Sequence, residues 1–393
     1  MPIDASASDV GIKVVRALFA LIWIKLIVSA FLDTGPGNLT SKLVDLVFVL
    51  SLISYLVLNI DYFMRRCPWL LGSINLLFVS VLLTELVSGR AFFFAMLETF
   101  KLLTPIMFMM VGMRLYQDQP AATLIAALRT FLLVFVLAVV GLFALPSAFN
   151  RGESFSPAYF SGLHTSAYVV GLAGFGIYYL HLAKAISRRW LYAAALLALT
   201  LVFVAWGVRT AMVTLVVFVL SHFLLRDKRA WPALLGFLGI VLSVVLIGLI
   251  ADQIRIPDWR DLVQLSSGRV SMWVYKFHLF YDSTFVQVLL GKGAGSDFVV
   301  SDVWWWGAKD SHNDFLHILT QNGIFGLGAI VLLLFSIWKS FAADRVAAPL
   351  MFVYVTASLF SNGLIYRPLA GLVFAIALLC ANAAVAVIRQ NSK

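Results

Sequence analysis

Two imidazoles and an amide open the most chemically suggestive stretch of this 393-residue chain. It reads Ser311-His312-Asn313-Asp314-Phe315-Leu316-His317 and runs on into an apolar segment bearing Gly323 and Gly326. Ionisable side chains at the lip of an apolar helix are costly in a membrane and point to function by default. His312, at the mouth, can meet a water-borne substrate, and an imidazole titrating near neutrality suits a general base. His317 lies five residues on, faces another side of the helix and reads as structural. That spacing also departs from the i, i+4 histidine pair of a zinc-binding helix. Ser311 and Asn313 can double as helix caps. His164, in Ser161-Gly162-Leu163-His164, is a further candidate, whereas His181, His222 and His278 fall at span ends or on a surface helix. No Gly-x-Ser-x-Gly elbow accompanies the histidines, so a serine hydrolase is not indicated.

Arginines supply the second signal. Arg90, Arg151, Arg209, Arg255, Arg260, Arg269 and Arg367 all fall in segments assigned below to the non-cytoplasmic side, where basic residues are normally scarce. The planar guanidinium donates in pairs and stays charged, so such a set points to an anionic partner, phosphate above all. Arg209 lies in Trp206-Gly207-Val208-Arg209-Thr210 between two apolar runs, and Arg269 follows Ser266-Ser267-Gly268. Gly291-Lys292-Gly293-Ala294-Gly295-Ser296 lacks the spacing of a nucleotide-binding loop and reads as a tight turn near the site. Asp297, Asp302, Asp310 and Asp314 show no metal-ligand pattern and read as solvated or arginine-paired, so no metal is expected.

The elements that position these residues follow from composition. Charged residues make up 12% of the chain, about half the share in a soluble domain, and 62% is hydrophobic. That balance requires an integral membrane protein, and the apolar runs are far too long for barrel strands. Spans are expected near 12–32, 43–60, 69–88, 91–114, 122–146, 162–182, 190–208, 210–225, 231–251, 315–338, 347–365 and 369–388, about twelve in all. The first run has no clear cleavage site and reads as a retained span. The net charge of +10 is dispersed through short loops and does not point to nucleic acid. Cys67 and Cys380 suggest neither a disulfide nor a metal site.

Loop charge sets the expected orientation. Arg65-Arg66, Lys184/Arg188/Arg189, Arg226/Lys228/Arg229, Lys339/Arg345 and Arg389/Lys393 alternate with the arginine-bearing segments above, so both termini are expected in the cytoplasm. The chain then divides into spans one to nine over 1–251, a structured loop subdomain over 252–311 and spans ten to twelve over 312–393. The loop is rich in aromatic residues. Gly268–Ser283 is expected as an amphipathic helix at the membrane surface, and Trp304-Trp305-Trp306 as an interfacial anchor.

On these residues the chain resembles the O-antigen ligase and polymerase superfamily. His312-Asn313, nine residues and then Gly323-Ile324-Phe325-Gly326 look like its His-(Asn/Ser/Gln)-x9-Gly-x-x-Gly signature. Ser161-Gly162-Leu163-His164, Arg209-Thr210-Ala211, Ser267-Gly268-Arg269 with Trp273, and the Leu289–Gly295 turn are similar in order, so the resemblance covers most of the chain. It implies an all-α polytopic fold of about twelve spans with a long periplasmic loop, similar to the GT-C class. It further implies transfer of a glycan from undecaprenyl pyrophosphate to an acceptor hydroxyl at the periplasmic face of a bacterial inner membrane. His312 would be the catalytic base, Arg209 and Arg269 the pyrophosphate grips, and Asn313, His164, Arg151 and Arg367 their support. The partners would be the lipid-linked donor, a lipid A–core or glycan acceptor and membrane lipids, with no cofactor and no nucleic acid.

The complete histidine–glycine pattern leans toward ligase; a repeat-unit polymerase is the close alternative and a flippase of lipid-linked sugars a more remote one. A flippase would favour a polar site at the membrane midplane, whereas here the polar residues gather at one face. A polymerase of the peptidoglycan type would rest on a loop aspartate instead of His312. The charge asymmetry makes the orientation testable. A cysteine at Lys292 is expected to react with a membrane-impermeant thiol reagent while the inner membrane is intact, and labelling only after it is opened would overturn the orientation.

Overall fold

A computed structural model describes residues 13–14, 17–25, 39–89, 92–118, 121–142, 163–226, 268–300, 307–361 and 363–391. Among the described residues the regular structure is helical, apart from one antiparallel bridge between Val299 and Lys309. In hydrocarbon every backbone N–H and C=O needs a partner, and a helix supplies one within its own segment. After a helical stretch at 17–25 come α1 (Leu39–Leu58), α2 (Ile60–Arg66), α3 (Pro68–Ser88), α4 (Phe92–Asp118), α5 (Ala121–Leu142) and α6 (Leu163–Leu182). Then follow α7 (Arg188–Leu199), α8 (Arg209–Arg226), α9 (Arg269–Tyr281), α10 (Phe285–Leu290), α11 (Asp314–Ile337), α12 (Ala348–Phe360) and α13 (Pro368–Asn391).

Five helical stretches are long and apolar enough to cross a membrane: Pro68–Ser88, Ala95–Gln117, Ala122–Gly141, Asp314–Ala342 and Pro368–Gln390. α1 and α2, bent by 75° at Asn59, make a sixth if the pair is one span. The protein is therefore of the helical membrane class. Arg209–Leu225 and Ala348–Phe360 are shorter apolar helices, and α6 and α7 lie where spans are expected. The span expected at 231–251 and the anchor Trp304-Trp305-Trp306 lie outside the described residues.

α13 runs through the middle of the bundle, with Leu369 to Ala381 almost wholly buried. Small residues let its neighbours approach: a Cβ on Gly112 of α4 would meet the Leu379 side chain at 2.6 Å. Pro105, inside α4, is matched by Gly371, where a Cβ would lie 2.6 Å from the proline ring. Close backbone approach of this kind is how membrane helices gain packing energy when apolar burial alone gives no advantage over lipid.

The described part of the long loop is seated on the bundle. Its anchor is a break in α11. Gly323 takes φ 64° and ψ −166° inside the helix, a conformation open to glycine alone. A Cβ there would lie 2.4 Å from the Leu289 carbonyl oxygen, and one on Gly291, at φ 87°, would lie 2.1 Å from that of Gln321. The break frees carbonyls of the preceding turn, and loop amides take them up. Lys292 N–H donates to Thr320 and Gly293 N–H to Gln321, each at 3.0 Å. Ala294 N–H donates to the buried Glu85 carboxylate of α3 at 2.7 Å.

α9 occupies the segment expected to be an amphipathic surface helix, yet one face is seated on protein, with Met272 and Lys276 fully buried. Lys292 is half-buried, its amine donating to the Leu279 carbonyl at 2.8 Å. The neighbouring Asp282 is exposed and offers the cleaner position for thiol labelling.

Candidate functional site

Helix starts bring the candidate residues together. Arg209 is the first residue of α8, delivered by Gly207 at φ 57° after an irregular turn over Thr200–Ala205. Arg269 is the first residue of α9, after Gly268 at φ 81°. Arg367 directly precedes Pro368, which starts α13, and His164 is the second residue of α6. Asn313 caps α11, its side-chain oxygen accepting from Leu316 N–H at 3.0 Å.

These starts converge. Arg269 is within electrostatic range of Arg209 and Asp310. His164 is within range of Arg367, Arg269 and His312, and Arg367 within range of Arg269 and Asp310. Each helix start adds unpaired N–H groups and about half a positive charge, so the arginines and the helix ends reinforce one another. Burial and Arg209 draw the Arg269 guanidinium below its usual range, opposed by Tyr168 and Asp310, though arginine stays protonated. Arg151 lies outside the described residues, as do Arg90, Arg255 and Arg260.

Two of the arginines are tied to neighbouring helices. Arg269 donates through Nη1 to the Phe360 carbonyl at the end of α12, 2.9 Å away. Arg367 donates through Nη1 to Thr165 Oγ1 of α6 at 2.7 Å. The turn that carries Arg367 is held from below by Asp314, whose fully buried carboxylate accepts from the N–H groups of Gly363 and Ile365, the closest at 3.0 Å.

His312 is fixed by Asp310, a carboxylate expected from the sequence to be solvated or arginine-paired. Its Nδ1 lies 2.9 Å from Asp310 Oδ1, and its own N–H donates to the same oxygen at 3.2 Å. The backbone there is left-handed, φ 47°, which is uncommon for a residue with a Cβ and is seen where the surroundings over-determine a site. With Nδ1 on the carboxylate, Nε2 is the nitrogen presented for chemistry. The side chain is 31% exposed, so water and solute reach it.

His317 is structural in the sense expected, but its partner was not foreseen. Its Nδ1 meets Asp297 Oδ2 at 2.8 Å. Asp297 also pairs with Lys276 Nζ at 2.8 Å, both side chains being fully buried, and accepts from Ser311 N–H at 2.8 Å and from the Ser311 hydroxyl. Trp273 Nε1 closes the same turn by donating to the Ser311 carbonyl at 2.7 Å. Burial alone would raise the Asp297 pKa, but His317 and Lys276 outweigh it and hold the carboxyl below its ordinary value. The expectation that the loop aspartates are solvated or arginine-paired is thus corrected for the described ones, and Asp302 lies outside the described residues. Asp297 and Asp314 are buried on other partners, and Asp310 holds His312. Asp310 stood two residues before His312, the spacing at which a carboxylate bonds a following N–H, and that signal was available.

No protein-family model and no curated protein matches this chain.

The Asp297 node makes a stability prediction. Removing one partner of a buried ion pair strands the other, at a cost of about 3–5 kcal/mol. Asp297→Ala is expected to lower the unfolding midpoint of the detergent-solubilised protein sharply. Arg389→Ala, which loses an ion pair whose arginine is 71% exposed, is expected to leave it nearly unchanged. Equal midpoints for the two variants would show that Asp297 carries no special load.

Proposed function

We propose that this chain is a membrane glycosyltransferase that moves a glycan from undecaprenyl pyrophosphate to an acceptor hydroxyl. In this reading it lies in a bacterial inner membrane with about twelve GT-C-like spans, and the site faces the periplasm. The observation that carries the proposal is one constellation: an imidazole oriented by Asp310 beside Arg209, Arg269 and Arg367 at converging helix starts. Helix N-termini with arginines are suited to a phosphate-bearing ligand. An acid–base group at the edge of such a site suits a reaction in which the anion leaves.

The step balances without a nucleotide or a cofactor. The acceptor oxygen attacks the anomeric carbon and gives its proton to His312 Nε2. The bond from that carbon to the pyrophosphate oxygen breaks, and undecaprenyl pyrophosphate departs with the electron pair. Arg209 and Arg269 meet charge that grows as the bond breaks, which is where fixed donors accelerate a reaction most. Asp310 stabilises the imidazolium that forms. A single displacement inverts the anomeric centre.

His312→Ala is expected to reduce transfer by about 10²–10⁴-fold at normal protein level, since it removes proton transfer and little packing. Arg209→Lys and Arg269→Lys keep the charge but lose the paired donors, so both are expected to slow turnover. The assay is transfer from undecaprenyl-pyrophosphate-linked oligosaccharide by purified protein in detergent, where a flippase has nothing to convert. An active His312→Ala protein, or full activity in both lysine variants, would refute the assignment.

Between the two branches of the superfamily, the ligase reading rests on the His312-Asn313-x9-Gly323-x-x-Gly326 pattern. Deleting the gene is expected to leave long carrier-linked glycan and a bare lipid A–core. A core bearing a single repeat would identify a polymerase instead.

A further inference from the structure

A cavity of about 240 Å³ adjoins Asp310, the carboxylate that holds His312; beside Asp310 and Arg367 of the proposed site, its walls are residues that the proposed chemistry leaves unused. Asp310 forms part of its lining and at the same time holds His312 Nδ1, so the cavity and the reacting imidazole share one carboxylate. Glu98 of α4 and Gln321 of α11 also line it, with Arg367 and His317 completing the polar wall. Phe298 and Tyr366 supply aromatic surface, and the Tyr366 ring meets His317 at 4.2 Å between centroids.

Three features say what it takes. Size comes first. Drug-sized ligands fill roughly 300–1,000 Å³, so this space suits one ring and not a chain. Charge comes second. Glu98 and Asp310 share the lining with the Arg367 guanidinium, which leaves no positive surplus to hold a pyrophosphate, whereas a neutral polyol meets no such barrier. Chemistry comes third. Carboxylates and an amide accept from and donate to hydroxyl groups, while aromatic faces cover the C–H face of a sugar ring.

Glu98 is the telling residue. It lies within the stretch Ala95–Gln117, which is apolar and long enough to cross a membrane. An ionised side chain there is costly, and such residues mark a ligand path or a site. It pairs with Lys101, a turn along the same helix at 2.6 Å, whose side chain is 55% exposed. His317, by contrast, is clamped through Nδ1 by the buried Asp297, so that wall of the cavity is rigid.

We propose that this cavity is the subsite for one neutral sugar ring of the acceptor, and that Glu98 and Gln321 are its specificity-determining residues. The proposal rests on the glycosyl-transfer reading for the word acceptor, and on the cavity alone for the sugar. A ring seated there lies against Asp310, the carboxylate that holds His312, while the donor's pyrophosphate stays on Arg209 and Arg269. The carboxylates of the cavity and the arginines Arg209 and Arg269 outside it thereby favour different substrates.

The test uses the full-length protein in detergent, Glu98→Gln and Gln321→Met. Both changes keep side-chain length and avoid adding charge. Binding is read by saturation-transfer NMR with methyl glycosides of glucose, galactose and N-acetylglucosamine. Transfer is read by titrating acceptor and donor separately. At least one glycoside is expected to bind the unaltered protein, and to bind each variant about tenfold more weakly, as loss of a hydrogen bond to a charged or buried group implies. The acceptor KM is expected to rise with the donor KM constant. Glycoside binding that is the same in all three proteins, or a rise in donor KM alone, would overturn the subsite. Glu98-dependent sugar binding by a protein that transfers nothing would uphold the subsite and overturn the transferase reading. Transfer with an unaltered acceptor KM in both variants would do the opposite.

Discussion

One buried carboxylate organises the polar end of this bundle. Asp297 sits where α9, the glycine turn, the segment before His312 and helix α11 meet, and it bonds to a group from each of its neighbours: Lys276, Ser311 and His317. A charge so deep is tolerable only if every lone pair is used, because each unsatisfied one costs a full desolvation penalty. The consequence is positional. Ser311 is fixed, so the next residue, His312, has little choice of place, and its left-handed backbone is the visible sign of that constraint. The described part of the loop is held by this node to the helical scaffold.

The glycines do the complementary work. Gly323 and Gly291 let two backbones touch, and the break in α11 turns carbonyls of one helix into acceptors for the loop. The two halves of the His312–Gly326 pattern thus serve different ends. The histidine end faces solute, and the glycine end seats the loop that carries Asp297 and Asp310. Gly326 itself lies against Ser80 of α3, where a Cβ would come within 3.1 Å of the hydroxyl oxygen, so the same turn also fixes the helix-to-helix distance.

Convergent helix starts create an electrostatic problem as well as an opportunity. Arg209, Arg269 and Arg367 repel one another, and the helix ends add to that repulsion. The structure meets it with Asp310, Asp314 and the carbonyl of Phe360, each placed to hold one component without neutralising the whole. The residual positive field is what a departing pyrophosphate would experience in the proposed reaction. The separate, carboxylate-bearing cavity beside it gives the site two chemically distinct sides.

Much was legible in the sequence because it depends on composition or on local geometry. Long apolar runs require helices in lipid, whatever packs around them. Gly268 before Arg269 and Asn313 before Asp314 signal helix starts from residue type alone, and both are observed. The candidates Arg209, Arg269 and Arg367 were nameable because basic residues are scarce on the side expected to be non-cytoplasmic, and His312 and His164 because ionisable groups at the lip of an apolar helix are costly. That they share one site was implied by the resemblance alone, since they are separated by up to some two hundred positions and no local rule relates them; folding brings them within electrostatic range. Burial was equally hidden. Asp297, Asp310 and Asp314 are alike as letters in a polar stretch, yet one anchors a lysine and a histidine, one orients a ring and one holds a distant turn. Which carboxylate does which depends on the partners that folding brings within hydrogen-bond distance, and only the tertiary structure decides that.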